Sequence, residues 1–432
     1  MKKCAVYMLP PLLALMTGCS QQGLPQASLG PKDLVIGTEA DAEDEVSQDA
    51  CVSYDEAADD DQEGQEDQPA DEENENKEDS ETVCTEPLTI SIEEESDSIE
   101  LPISIEDFEK LGFKLGDSVD VAFGNGKSYE DIPYYNGDYC RIYEYYLYAN
   151  KNHDCIAVCC NCKPDFGIEE GIKGDDTVTI TLHEEGRYED TQKRLDLTYS
   201  NKPEDYPTEE AYANFRSLSG GDIVSGRFYR GASPCNNNTN RSNYVNTLMR
   251  KNKIAFVLDL SDNRDTFESY RDQYGENYTY DWDLFLNDKV AFVDMNSDYT
   301  NEEYKEWIAQ GLIELTENDG PYFIHCNEGM DRTGFVSVIL EGLAGATYKQ
   351  MRDDYMLTYR NYYGIDKESD PETYDLIVRT YFDSFLIILH DEEADHDELK
   401  EIDFKEDIER YLMEGGMTDK QVKKLKKLLT EA

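Results

Sequence analysis

Residues 325–334 read His-Cys-Asn-Glu-Gly-Met-Asp-Arg-Thr-Gly. Five residues separate Cys326 from Arg332, with Gly329 among them and Thr333-Gly334 behind. A loop of that length curls so that successive backbone N–H groups converge on one centre, an anion-binding nest. The thiol then lies at the base of the nest and the guanidinium closes its rim. A thiolate in such a place attacks phosphorus in line and takes the phosphoryl group onto sulfur. The arginine binds two oxygens bidentately and stabilises the charge that builds in the transition state. This chemistry needs no metal, and no cofactor is expected.

The loop has to be held by a strand before it and a helix after it. Gly320-Pro321 reads as a turn, Tyr322-Phe323-Ile324 as a short buried strand, and Phe335 to Leu343 has the apolar spacing of a helix. A loop that feeds a helix N-terminus is how proteins bind phosphate.

The stretch resembles the active-site signature of the protein tyrosine phosphatase superfamily: Cys, five residues, Arg, then Ser or Thr. A rhodanese-like sulfur transferase also uses a loop cysteine, but matches Gly329 through Gly334 less well. Phe228-Tyr229-Arg230-Gly231-Ala232-Ser233 also resembles a segment of bacterial members in which an arginine follows an aromatic. The resemblance covers about residues 205–390. It implies a phosphatase of the EC 3.1.3 class, with Cys326 as nucleophile and Arg332 as the phosphate-binding cation. Asn327, Glu328, Gly329 and Met330 then offer backbone N–H groups to the substrate. Thr333 hydrogen-bonds the sulfur and eases its departure in the second step, and His325 orients the loop from beneath.

The general acid has two candidate places. Most members of the superfamily carry it on a separate loop some thirty residues before the cysteine, where Asp294 and Asp298 lie, without the tryptophan or proline context of that loop. A second group, which includes myotubularin lipid phosphatases and bacterial phosphatases with a Lys-Asp-Arg loop, places aspartate directly before the arginine, as Asp331 does here. We take Asp331 as the acid, with a loop brace salt-bridged to Arg332 as its other reading. Phosphoinositide phosphatases often add lysine to the loop, where this chain has Met330, with Glu328 nearby. With a net acidic domain, this favours a mono-phosphorylated target, phosphotyrosine above all. Arg216, Arg227, Arg230 and Arg241 are the bases available to offset that inside the cleft. An inositol-phosphate or phytase-like phosphatase is the alternative, and an inactive surface-tethered binding module the third reading. The expected partner is a phosphorylated protein or small phosphomonoester, with no nucleic acid.

The rest of the chain says where this chemistry is delivered. Met1-Lys2-Lys3 followed by apolar Ala5 through Met16 reads as a cleaved signal peptide, too short to span a bilayer. Leu15-Met16-Thr17-Gly18-Cys19 resembles a bacterial lipobox, which implies a lipid anchor on Cys19 and an exported, membrane-anchored lipoprotein on the extracytoplasmic face. The formal charge is −55. Between Glu39 and Glu100, Lys77 is the only base, so this stretch is expected to be a disordered, self-repelling stalk. Eleven cysteines in an exported chain suggest disulfides. Cys140, Cys155, Cys159, Cys160 and Cys162 lie close together, but Cys-Cys-x-Cys is not a reliable zinc spacing. They read as structural thiols or disulfides, partly on a strand.

From Leu88 to Ser200 the signals are short strands, with Asn125-Gly126 as a hairpin turn, which suggests a small barrel or sandwich. No catalytic group is apparent there, so a chain starting near residue 202 is expected to retain turnover. From Pro203 strands and helices alternate, the order of an α/β fold with a mostly parallel sheet. The organisation expected is a signal peptide (1–18), a lipid-anchored acidic linker (19–86), a β-rich accessory domain (87–202), a phosphatase domain (203–395) and a helical extension (396–432).

Overall fold

Residue patterns that alternate with period two on both faces build the first half of the molecule. A computed structural model of the chain describes residues 83–90, 98–137, 144–161, 166–274, 279–296, 299 and 303–431. The expected signal peptide, the Cys19 anchor, most of the acidic linker, Cys140, Cys162 and Asp298 lie outside these residues. Seven strands come first: β1 (Leu88–Thr89), β2 (Ser98–Leu101), β3 (Ser118–Phe123), β4 (Ser128–Tyr135), β5 (Tyr145–Asn150), β6 (Cys155–Cys160) and β7 (Thr177–Glu184). They form one sheet in the order β1-β7-β3-β4-β5-β6-β2. All neighbours are antiparallel except β4 and β5. With β1 and β2 at its two edges, the described sheet is not closed into a barrel.

Alternation along β6 shows what its two faces do. Ile156, Val158 and Cys160 point into the core of this half, whereas Ala157 and Cys159 join a second core with the helices of the other half. Tyr135 on β4 and Tyr146 on β5 repeat the pattern. The tyrosines of these strands are therefore packing residues. Burying each large apolar side chain this way contributes roughly 1.5–3 kcal/mol, and the shared core fastens the two halves together. Cys155 is a buried free thiol, and Cys159 and Cys160 are buried on the same strand.

The second half is an α/β layer fold. β8 (Arg216–Ser217), β9 (Phe228–Gly231), β10 (Phe256–Asp259), β11 (Val290–Phe292) and β12 (Tyr322–His325) form a sheet in the order β11-β10-β12-β9-β8. The first four are mutually parallel and β8 runs antiparallel at the edge. β10 is shorter than its apolar run suggests. The Leu260 N–H still bonds the His325 carbonyl of β12, and Asp259 caps the turn that follows through the N–H groups of Ser261 and Asp262. Thr347 and Asp370 cap the helices Tyr348–Tyr363 and Pro371–Ile377, the first with a full capping box to Gln350. The helix Asp419–Thr430 buries Val422, Leu425 and Leu429 and leaves its lysines outside. No helix among the described residues is long and apolar enough to cross a membrane.

Candidate active site

β12 ends at His325, so Cys326 starts the loop at the carboxyl end of a central parallel strand, where α/β sheets bind ligands. The loop closes at Met330, and the helix Asp331–Leu343 begins immediately, almost entirely buried. Cys326 is 3 % exposed.

The curl of the loop is imposed from outside by donors that collect its carbonyls. Ser233 N–H donates to the Asn327 carbonyl at 3.0 Å, and Tyr362 Oη donates to that of Glu328 at 2.7 Å. Arg230 Nη2 donates to the Gly329 carbonyl at 2.7 Å and Asn214 Nδ2 to the same oxygen at 3.1 Å. In a planar trans peptide the N–H points opposite to the C=O. With these carbonyls turned outward, the N–H groups that follow them turn inward, which is the nest expected of this spacing. Gly329 makes the curl possible. Its φ is +67°, and a Cβ there would lie 2.1 Å from the Gly231 carbonyl oxygen.

A partly buried carboxylate on the helix Tyr348–Tyr363 holds these clamps. Asp354 accepts from Arg216 Nε and Arg230 Nη1, both at 2.7 Å. Arg216 in turn donates to Asn214 Oδ1, also at 2.7 Å. Arg230 is fully buried and Arg241 1 % exposed. Arg241 donates to the Tyr212 and Ser200 carbonyls and stacks on the rings of Tyr199, Tyr212 and Tyr362. Arg227 donates to the Leu428 carbonyl at the far end of the sheet. The four bases expected to offset the acidic field in the cleft are thus all taken up by protein partners. The side chains of Met330 and Glu328 are buried as well, the latter beneath a hydrogen bond from Tyr199.

Asp331 is the most perturbed group at the loop. It is 7 % exposed, its Oδ1 accepts no hydrogen bond, and burial pushes its carboxyl up to about 7 against the counter-pull of Arg194. Arg332 donates from Nη1 to the Met295 carbonyl at 2.9 Å. Asp294, one residue earlier, is exposed at φ +52° and accepts from Asn263 Nδ2 at 3.1 Å. Thr333 Oγ1 is buried without a hydrogen-bond partner, so the bond to the Cys326 sulfur expected of it is not formed in this structure.

His325 lies beneath the loop, as its expected orienting role requires. Its Nδ1 is 3.3 Å from the Cys326 carbonyl, its Nε2 is 3.7 Å from Asp259 Oδ2, and burial pulls its pKa down to about 4, so the ring is neutral. Below it sits a cluster that the sequence did not reveal. Cys235, Asp259 and Asp262 bring donor atoms within 4.8 Å of one another, the one such group among the described residues that could gather a metal ion. Neighbouring hydroxyl and thiol groups donate into the cluster. The Cys235 thiol and Tyr270 hydroxyl point at Asp262, and Ser261 Oγ bridges Asp259 and Asp262. Asp281, fully buried with neither oxygen hydrogen-bonded, adds a third acid.

Burial raises Asp259 to about 6 and Asp262 to about 7. Raised carboxyls bind protons in the folded state that the unfolded chain, with Asp near 3.9, has released. Their stabilisation is complete below the unfolded pKa and is lost as pH rises through 6 to 7. The melting temperature is therefore expected to fall by on the order of 5 °C between about pH 5.5 and 8, and Asp262→Asn is expected to flatten that slope. A wild-type melting temperature that rises over this window would contradict the assignment.

The model of the tyrosine phosphatase family matches residues 208–431, just over half of the chain, and includes the C-terminal helices. This protein belongs to that family. It is a phosphatase, with the α/β fold that the family implies. No curated protein sequence matches the phosphatase significantly. Among solved structures it is similar to the core catalytic domain of the PP-IP phosphatase SIW14 from S. cerevisiae, determined with citrate. The identity is 17%, over 40% of this chain and 94% of that one, at a TM-score of 0.23.

The phosphatase departs from one sequence expectation. The β-rich half does send groups to the loop: Arg194 Nη2 lies 3.7 Å from Asp331 Oδ1, and Tyr199 Oη bonds the Glu328 carboxylate. A chain starting near residue 202 would lose both. The sequence signal was thin, an arginine on a short amphipathic helix and a tyrosine in a linker.

Proposed function

We propose that the phosphatase hydrolyses phosphotyrosine through a cysteinyl-phosphate on Cys326, with Asp331 as general acid and base. The observation that carries this reading is the raised carboxyl of Asp331, directly before Arg332 at the N-terminus of the loop helix. A carboxylic acid that titrates near 7 is suited to donate a proton at neutral pH. In the first step the Cys326 sulfur attacks phosphorus, the P–O bond to the leaving group breaks, and Asp331 delivers its proton to the departing oxygen. In the second, Asp331, now a carboxylate, takes a proton from water as that water attacks the phosphocysteine. The thiolate then leaves, aided by the Thr333 hydroxyl. Arg332 and the inward N–H groups of the loop hold the phosphoryl oxygens in both steps. The surface hydrogen bond of Asp294 to Asn263 supports Asp331 over the upstream loop.

A mono-phosphorylated substrate is supported by the fate of the nearby bases. Arg216, Arg230 and Arg241 are buried in protein hydrogen bonds, and the loop position after Gly329 is the buried Met330. Side chains for second and third phosphate groups are thus not supplied by these positions. The test is a panel of phosphotyrosyl peptide, phosphoseryl peptide, phosphoinositides and inositol hexakisphosphate. The phosphotyrosyl peptide is expected to give the highest kcat/KM, by about 10²-fold over phosphoserine, whose alkoxide is the poorer leaving group. Preferential turnover of inositol phosphates would replace this reading with the phytase-like one.

A further inference from the structure

Arg194 lies on the helix Glu189–Leu195, the last element before the linker to the second half, and yet it is 5 % exposed. Three contacts fix it. Nε donates to Tyr359 Oη at 3.2 Å, the guanidinium lies 4.5 Å from the centre of the Tyr381 ring, and Nη2 reaches to 3.7 Å from Asp331 Oδ1. The first two partners belong to helices of the second half, so the arginine is docked across the shared core. Its position there is set by packing, because Leu195 beside it and Tyr188 at the head of the same helix pack against that core. Burying a guanidinium is costly unless it meets partners, and here one of them is the carboxyl group of the proposed acid.

We propose that Arg194 is a positioning residue for the phosphatase reaction: it holds the Asp331 carboxyl group at the loop, so that the two halves of the chain make one catalytic unit. This rests on the reading of Asp331 as the proton donor. A carboxyl group without such a partner rotates about its side-chain bonds, and misplacement of a proton donor by a fraction of an ångström lowers the rate of transfer. Other charged groups also face Asp331. Arg230 comes from β9, Glu328 from the loop and Arg332 from the acid's own helix. The hydroxyls of Tyr299, Tyr355, Tyr359 and Tyr363 surround it from the loop after β11 and the helix Tyr348–Tyr363. Among the cations, Arg194 exerts the largest pull on the carboxyl.

The full-length enzyme tests this. Arg194→Met keeps the length of the stem and removes the charge, and Arg194→Lys keeps a cation. With phenyl phosphate, whose leaving group needs a proton, Arg194→Met is expected to lower kcat about 10-fold, with KM changed by less than about 2-fold. The alkaline limb of its kcat–pH profile moves to higher pH, because the cation that favours the carboxylate is gone. Arg194→Lys keeps the limb near its wild-type position. In the Asp331→Asn background, Arg194→Met adds no further loss on phenyl phosphate. A limb that stays in place in Arg194→Met, with equal losses on phenyl and p-nitrophenyl phosphate, overturns the positioning role. That outcome leaves Asp331 standing if Asp331→Asn still discriminates between the two substrates. If Asp331→Asn does not discriminate, the acid assignment falls first and the role of Arg194 falls with it.

Discussion

Cys326→Ser is expected to lower kcat/KM on aryl phosphates by at least about 10⁴-fold, roughly 5 kcal/mol of transition-state stabilisation. The sulfur is both attacking and leaving group, and a serine in its place has to reach phosphorus as a far more basic alkoxide. The cradle around it is not disturbed by the change. The carbonyls of Asn327, Glu328 and Gly329 keep their donors on Ser233, Tyr362, Asn214 and Arg230. The variant therefore still binds vanadate or substrate while turning over nothing, which separates loss of chemistry from loss of fold. With Cys326 as the proposed nucleophile and Arg332 as the proposed charge stabiliser, wild-type activity is expected to survive EDTA and to be lost with iodoacetate. Turnover that vanishes with EDTA and persists in Cys326→Ser would place the chemistry elsewhere in the chain.

Asp331→Asn is expected to cost about 10²–10³-fold on phosphotyrosine, the usual range for a general acid, and much less on p-nitrophenyl phosphate. Tyrosine leaves as a phenolate of pKa about 10, whereas nitrophenolate departs without help. The pH dependence has a definite sign. Burial raises the carboxyl group to about 7, and in the proposed role it acts in its protonated form, so the wild-type rate is expected to fall as pH rises through 7. Asparagine removes that limb. A loop brace predicts something else: similar losses on both substrates, since removing it displaces Arg332 whatever the leaving group. A leaving-group-dependent loss in Asp294→Asn or Asp298→Asn, with equal losses in Asp331→Asn, would move the acid to the upstream loop.

Much of the phosphate loop was legible in the residues alone, because its chemistry is written in ten consecutive positions. The strand Tyr322–His325, the turn at Gly329 and the helix Asp331–Leu343 are decided by local preference: an apolar run, a residue tolerant of positive φ, and helical apolar spacing. The parallel order of β9 to β12 followed from the alternation of strands and helices, since parallel neighbours need such crossovers.

What the sequence left open depends on partners far apart in the chain. Periodicity says that a face is buried and not what covers it. Tyr135 and Tyr146 lie on short strands, and only the fold shows that they pack against the phosphatase helices. Arg216 and Arg230 looked like bases free to meet a substrate until Asp354, more than a hundred residues away, was placed between them. Asp259, Asp262 and Asp281 are ordinary solvated acids in sequence. Tertiary burial makes them one proton-binding cluster, because desolvation depends on everything packed around a group. The preference for Asp331 over Asp294 as the proposed acid turned on the same physics. Both are the same side chain in sequence, and Asp331 is set apart by its enclosure and by an arginine from the other half of the molecule.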